Sequence, residues 1–220
     1  MKNQRGFTLI ELAIVLVIIG LLLGGVLKGQ ELINNARVKN LAADFRNIPV
    51  YIYGYQDRHR ALPGDDAAAE AHLGAAADPA TTPAGTIGNG AINGAWDSNT
   101  PTDESILFWQ HVRLAGLAPG PTVAPANAAA IPAFVQANSL GGRMGVSSTV
   151  PINNMVGSYF VCSAGIDAQF ARQIDTTLDD GVTNTGSVQA VATAAAPAAP
   201  AAPVNITAAT VGQHTVCMAF

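Results

Sequence analysis

Glu11 is the residue whose type and position most plainly ask for a chemical explanation. It ends the string Arg5-Gly6-Phe7-Thr8-Leu9-Ile10-Glu11, and no charged residue follows it from Leu12 to Leu27. A carboxylate near the start of an apolar span costs on the order of several kcal/mol if it stays ionised and unpaired, so such an acid points to a function and to a partner. Cleavage between Gly6 and Phe7 would create that partner, because the new α-amino group of Phe7 is a cation able to neutralise Glu11 of a neighbouring copy. Chemistry of this kind assembles molecules rather than transforming substrates.

Other chemically capable groups are sparser. Acids gather as Asp65 with Asp66, as Asp97 with Asp103 and Glu104, and as Asp175 with Asp179 and Asp180. Calcium takes roughly six to eight oxygen ligands, and Asp97-Ser98-Asn99 opens like a calcium loop but lacks a closing Glu at the right distance. Caps and turns are the plainer reading of all three groups. Gly88-Asn89-Gly90 lacks the Lys-Ser/Thr of a phosphate loop. Ser139, Ser147, Ser148 and four histidines scattered along the sequence form no nucleophile motif, so neither enzymatic activity nor a cofactor is expected.

The element that must position Glu11 is the apolar run itself. From Phe7 to Leu27 a helix would measure about 31 Å, enough to cross a bilayer core. A secretory signal has a shorter apolar core of about 7 to 15 residues and a small-residue cleavage site after it. Here the run is longer, the acid sits at its front, and Lys28 follows without a cleavage box. A plain membrane anchor fits the length but gives no reason for Glu11. Lys2 and Arg5 precede the span, and basic flanks tend to stay cytoplasmic, although Lys28 on the far side opposes that bias.

Taken together, the short basic leader, Gly-Phe-Thr-Leu-Ile-Glu and the uninterrupted apolar helix resemble the N-terminal segment of type IV pilins and type II secretion pseudopilins. The resemblance covers roughly the first 55 to 65 residues. It implies a dedicated prepilin peptidase that cleaves after Gly6 and methylates Phe7, with Glu11 as the acid used in assembly. It also implies an inner-membrane platform with its ATPase, minor pilins and an outer-membrane secretin as further partners. The protein would sit in the inner membrane as a single span with a cytoplasmic N-terminus, and then enter a periplasmic or cell-surface filament. The weak calcium candidates Asp175, Asp179 and Asp180 gain some interest, because some type II pseudopilins bind calcium in this region.

On that topology Cys162 and Cys217 face an oxidising compartment, which makes one disulfide the default, with two free buried thiols as the alternative. The resemblance implies the same bridge. A zinc pair is disfavoured by the absence of a nearby His cluster, and His214 beside Cys217 is incidental. Cleavage removes Lys2 and Arg5 and leaves nine basic against 15 acidic residues. No basic patch argues for nucleic acid, and Tyr51, Tyr53 and Tyr55, although interleaved with Arg46, Arg58, His59 and Arg60, cannot share one helical face as a stacking platform would require.

Beyond the span, Val38, Leu41, Phe45, Ile48, Ile52 and Tyr55 alternate three and four residues apart, the seam of a helix packed along its length. With no turn between Leu27 and Leu32, one helix is predicted from about Phe7 to about Arg60, softened at Gly20, Gly24, Gly25 and Gly29 and kinked or broken by Pro49 near Phe45 to Ile48. Many pilins instead carry a proline near the end of the apolar run. Ala61 to Asp66 has turn chemistry, and residues 67–94 read as a surface loop. A second helix is predicted from Ser105 to Leu114 after an N-cap at Thr102 to Glu104, with Phe108 and Trp109 in the core. Strands are expected at Val156 to Cys162, Ser187 to Val191 and Thr215 to Phe220, a short helix on Ile166, Phe170, Ile174 and Leu178, and an extended Ala/Pro excursion at Ala192 to Pro203.

The division expected is therefore a leader at residues 1–6, a transmembrane or filament-core helix at 7–28, its amphipathic continuation at 29–60 and a globular domain at 61–220. The fold expected is α+β and pilin-like, with a long N-terminal helix on a small antiparallel sheet and long loops. The expected function is a self-assembling filament subunit of a type IV pilus. The alternatives are a pseudopilin of a type II secretion system and, in a different class, a membrane-tethered periplasmic binding module for which Glu11 would be dispensable.

Overall fold

The structure is a computed structural model that describes residues 9–192 and 200–220. One helix, α1, runs from Leu9 to His59. It is followed by α2 (Ala69–Leu73), α3 (Glu104–Leu114), a single 3-10 turn (Ala128–Ala130), α4 (Ile131–Phe134), β1 (Met144–Ser147), β2 (Phe160–Asp167), α5 (Ala168–Leu178), β3 (Val188–Ala192) and β4 (Gln213–Ala219). The chain divides into two compact units, residues 1–39 and 40–220.

In the first unit the helix is apolar on every side as far as Leu27, and its large side chains from Leu9 to Leu27 are exposed. In the second unit the predicted seam is buried: Leu41, Phe45, Ile52 and Tyr55 are fully inaccessible and Ile48 nearly so. Each such side chain contributes about 1.5–3 kcal/mol on burial. That burial explains why Pro49 does not break the helix as its sequence position suggests. Proline removes one hydrogen bond to the Phe45 carbonyl, but Phe45, Ile48 and Ile52 are fixed in the core on both sides of it, and helix continues to His59.

The helix stops at Arg60, which takes a left-handed conformation (φ 58°), and the chain turns at Gly64 (φ 90°). Gly64 has a second reason to be glycine. A Cβ there would collide with the Glu104 carbonyl at the start of α3, so the turn and α3 approach as only backbone permits. Residues 67–94 do more than cross the surface. They contain α2, and Ala69, Ala77, Ala80 and Ile92 are buried.

The sheet is antiparallel with strand order β1-β2-β4-β3. Alternation along the strands gives it two buried faces. On one, Phe160, Cys162, Cys217, Ala219 and Val191 pack with Ile152 and Met155 and against Trp96. The other carries Val146, Val161, Val188, Ala190 and Val216, all buried, while α5 packs against β2, β3 and β4. Both edges are covered by loops. Outside β1, Met144 N–H donates to Gln136 O (2.8 Å) and Ser148 N–H to Ile92 O (2.7 Å). Outside β3, Ala190 N–H donates to Thr183 O and Val204 N–H to Ala190 O, both at 2.7 Å. Covered edges leave no template for strand addition.

Two expectations shift. The strand expected at Val156 begins at Phe160, because the chain is still turning at Asn154 (φ 66°) and Val156 is exposed. It runs on to Asp167 through a bulge between Ser163 and Ile166 where Gly165 has φ 71°, which draws Ile166 into the strand rather than into α5. Met144–Ser147 is a strand that the sequence reading did not contain. Most of the Ala/Pro excursion lies outside the described residues.

Cys162 and Cys217 are direct partners across β2 and β4 and form a disulfide with Cα atoms 4.0 Å apart. Closing a loop of 55 residues contributes about 4 kcal/mol by the chain-entropy account. The double variant Cys162→Ala/Cys217→Ala is therefore expected to lower the urea midpoint by an amount equivalent to about 3–4 kcal/mol. An unchanged midpoint would show that the bridge only decorates a sheet already stable without it.

Candidate functional site

The candidate assembly site is the N-terminal stretch of α1. Glu11 lies in the first turn of the helix, where unsatisfied amide groups and the helix dipole favour a negative charge. Gly6 and Phe7, the proposed cleavage and methylation positions, lie outside the described residues. From there on the helix has a mean hydropathy of 2.8 over its most apolar window, none of it buried, and it is long and apolar enough to cross a membrane.

At the other end of α1 three histidines that are distant in sequence come together. Tyr55 Oη donates to Asp66 Oδ2 (2.7 Å), and His72 Nδ1 reaches the same oxygen at 2.7 Å. The His59 ring lies 4.6 Å from that of Tyr55 and 5.2 Å from that of His72, and the His111 ring stacks 6.1 Å from Tyr55. His111 is wholly buried. Its Nδ1 accepts the Gly64 N–H (2.9 Å), so Nε2 carries the proton and donates to Asp78 O (2.9 Å). Neutral His111 thus fastens the turn after α1 to α3. In the sequence these histidines are scattered. The available signal was that His59 stands one helical turn from Tyr55, the last residue of the seam.

The acids serve the fold. Asp65 accepts amide hydrogens from Gly88, Asn89 (3.2 Å) and Gly90 (2.7 Å), beside an open cleft of about 340 Å3 that Gln56, Arg60 and Tyr159 also line. Asp103 occupies the N-cap position of α3 without capping it; its carboxylate instead accepts from Thr82 and Ser98 hydroxyls, both at 2.5 Å. Glu104 is fully buried and accepts from Asn93 N–H (2.7 Å) and Thr86 Oγ1 (2.5 Å). Asp179 accepts the Val188 amide, and Asp180 accepts from Val182 N–H and Thr185 Oγ1. Asp97 stays apart from Asp103 and Glu104 in role, half-buried near Arg143. Among the described residues, no group of three or more His, Cys, Asp or Glu side chains is disposed to hold a metal ion.

Asp175 differs from the other acids. It is fully buried, and neither carboxylate oxygen has a well-aligned hydrogen bond. Burial, reinforced by the charges of Asp180 and Asp179, pushes its carboxyl up to about 6, although the amides of Gly181 and Val182 partly oppose this. Burial alone would raise Asp66 too, but hydrogen bonds from His72, Tyr55 and the Ala68 amide outweigh it and hold that carboxyl below its ordinary value. Burial lowers His111 and His59, the latter helped by the neighbouring His72 and Arg58.

A helix that is apolar and then amphipathic, leading into a small antiparallel sheet, is a pilin-like α+β architecture. Residues 1–27 match the family model described as the prokaryotic N-terminal methylation motif, which is characteristic of type IV pilins and pseudopilins. No curated protein and no solved structure matches the chain. The motif supports a prepilin-type substrate, and the apolar helix that continues it is long enough for a single membrane span.

The titrations have opposite signs. Depressed histidines bind fewer protons folded than unfolded, so stability falls as pH drops below about 6.5. A raised Asp175 binds more protons folded than unfolded between its ordinary value and about 6, so its contribution is favourable in acid and lost as pH rises through that window. Asp175→Asn is therefore expected to stabilise the protein at pH 7.5 by on the order of 1–3 kcal/mol. Thermal melts from pH 7.5 to 4 check this: the gain should vanish near pH 4, and the variant should lose stability more steeply than the parent between pH 7 and 5. A gain independent of pH would refute the titration of Asp175.

Proposed function

We propose that this protein is a structural subunit of a type IV pilus-like filament. Prepilin peptidase cuts after Gly6 and methylates the amine of Phe7. Residues 1–6 are then the leader, residues 7–28 the membrane span that becomes filament core, residues 29–60 its amphipathic continuation and residues 61–220 the globular domain. Before assembly the N-terminus is cytoplasmic and the globular domain lies across the inner membrane, where its disulfide can form.

The observation that carries this reading is the methylation motif at residues 1–27 joined directly to a helix whose apolar side chains from Leu9 to Leu27 are exposed. That surface is satisfied in two settings, lipid and a bundle of other such helices, and transfer from one to the other is what filament assembly requires. Glu11 takes the role of registering one copy on the next, its carboxylate meeting the Phe7 amine of a neighbour. The loop-rich domain of residues 61–220 favours a pilus over a secretion-type filament.

Intact-mass spectrometry on protein sheared from the cell surface tests the processing. The expected mass corresponds to loss of Met1 to Gly6, gain of one methyl group, and loss of two hydrogens at the disulfide. Uncleaved protein confined to membranes would contradict the filament reading. Glu11→Ala is expected to be cleaved normally but to yield few or no sheared filaments, checked by immunoblot of sheared and membrane fractions. Parental filament yield from that variant would remove Glu11 from the mechanism.

A further inference from the structure

Charge is divided unevenly along this chain. Residues 28–60 carry six lysine or arginine side chains against three acids, whereas residues 61–220 carry three arginines against eleven acids. Two of the three arginines of the second region are committed to its interior, and Arg172, half-exposed on α5, is left against the acids of its surface. Arg113 is buried, with its guanidinium donating to the carbonyls of Pro119, Pro121 and Phe134 and lying over the Trp109 and Phe134 rings. Arg143 is half-buried and donates to Ser98 O. Glu70, Asp78, Asp167 and Asp180, by contrast, are exposed.

The basic residues of α1 have a pattern of their own. Lys39, Ala43, Arg46, Val50, Tyr53 and Asp57 step alternately by four and three residues, a second seam on the side of the helix away from the buried one, and Arg60 follows at the turn that ends the helix. All seven are exposed, including Val50 at 63% and Tyr53 at 55%. Lys28 pairs with Glu31 at 2.7 Å, whereas among the described residues no ion pair is seen for Arg37, Lys39, Arg46 or Arg60.

We propose that this outer face of α1, residues 39–60, is an interface for a second copy of the chain, which docks on it through its acid-rich globular domain. The inference rests on the filament reading and goes beyond it, since the methylation motif covers only residues 1–27. Charge complementarity selects the occupant. One chain presents both a basic helix face and an acidic domain, so repeated copies satisfy both surfaces, whereas a nucleic acid drawn to the helix would be repelled by the domain behind it. Such complementarity gives register and specificity more than affinity, and Val50 and Tyr53 supply apolar contact on the same face.

Zero-length carbodiimide coupling tests the interface, because it joins an amine directly to a carboxylate with loss of water. After leader removal Lys28 and Lys39 are the only lysines. Sheared filaments would be coupled, covalent dimers separated from monomers, and the linked peptides of the two bands compared. Expected are peptides joining Lys39 to Glu70, Asp78, Asp167 or Asp180, present in the dimer and absent from the monomer. Arg46→Glu/Arg60→Glu, both at exposed positions, should retain the disulfide and the melting temperature of the parent but lower the dimer yield about fivefold or more. Abundant filaments with no Lys39 link specific to the dimer would overturn the interface and leave the filament reading standing. Protein found only as an uncleaved or monomeric membrane species would overturn both.

Discussion

Water cannot be the resting environment of the first half of α1. From Leu9 to Leu27 the helix carries large apolar side chains on every side, and at about 25 cal/mol per Å2 of apolar surface their exposure is far too costly to persist. Every other feature can be read as a response to that constraint. No charge follows Glu11 as far as Leu27, polar residues return at Lys28, and from Val38 onward one side of the helix is buried. From Leu41 to Tyr55 the same helix buries one side in a folded domain. One element thereby belongs to two environments.

The domain built on residues 40–220 separates stability from display. Its interior groups are committed: Asp65, Asp66, Asp103 and Glu104 accept hydrogen bonds from turns and loops, His111 holds the end of α1 to α3, and Arg113 gathers three carbonyls. Polar side chains used in this way replace the regular secondary structure that the long Ala, Gly and Pro-rich loops do not form. The buried carboxylate of Asp175, without a well-aligned hydrogen bond, is the exception and a net cost at neutral pH.

Sequence periodicity revealed the elements whose partners lie along their own length. The seam of α1, the amphipathic run of α5, the Thr-Asp-Glu start of α3 and the β-rich composition of β3 and β4 are all local signals, and each element appears within a few residues of its predicted bounds. Strand β1 was not legible, because four residues containing a glycine, Met144-Gly145-Val146-Ser147, carry too little alternation. Its glycine makes sense only in three dimensions, where a Cβ would strike the Trp96 carbonyl. Pro49 shows the converse, a strong local signal overridden by tertiary packing. At the candidate site, Glu11 was legible because an acid in an apolar run is anomalous in one dimension. The convergence of His59, His72 and His111 on Tyr55 was not, since it depends on how the turn after α1 meets α2 and α3.

Strand order has a temporal consequence. β4 lies between β2 and β3 in the sheet although it follows both in the chain, so neither β3 nor the inner side of β2 has a partner until β4 has arrived. Cys162 likewise waits for Cys217. The sheet therefore closes only once its last strand is in place. A chain that stopped before β4 would leave β3 without its strand partner and Cys162 without its disulfide, so the last strand is what commits the sheet to its fold.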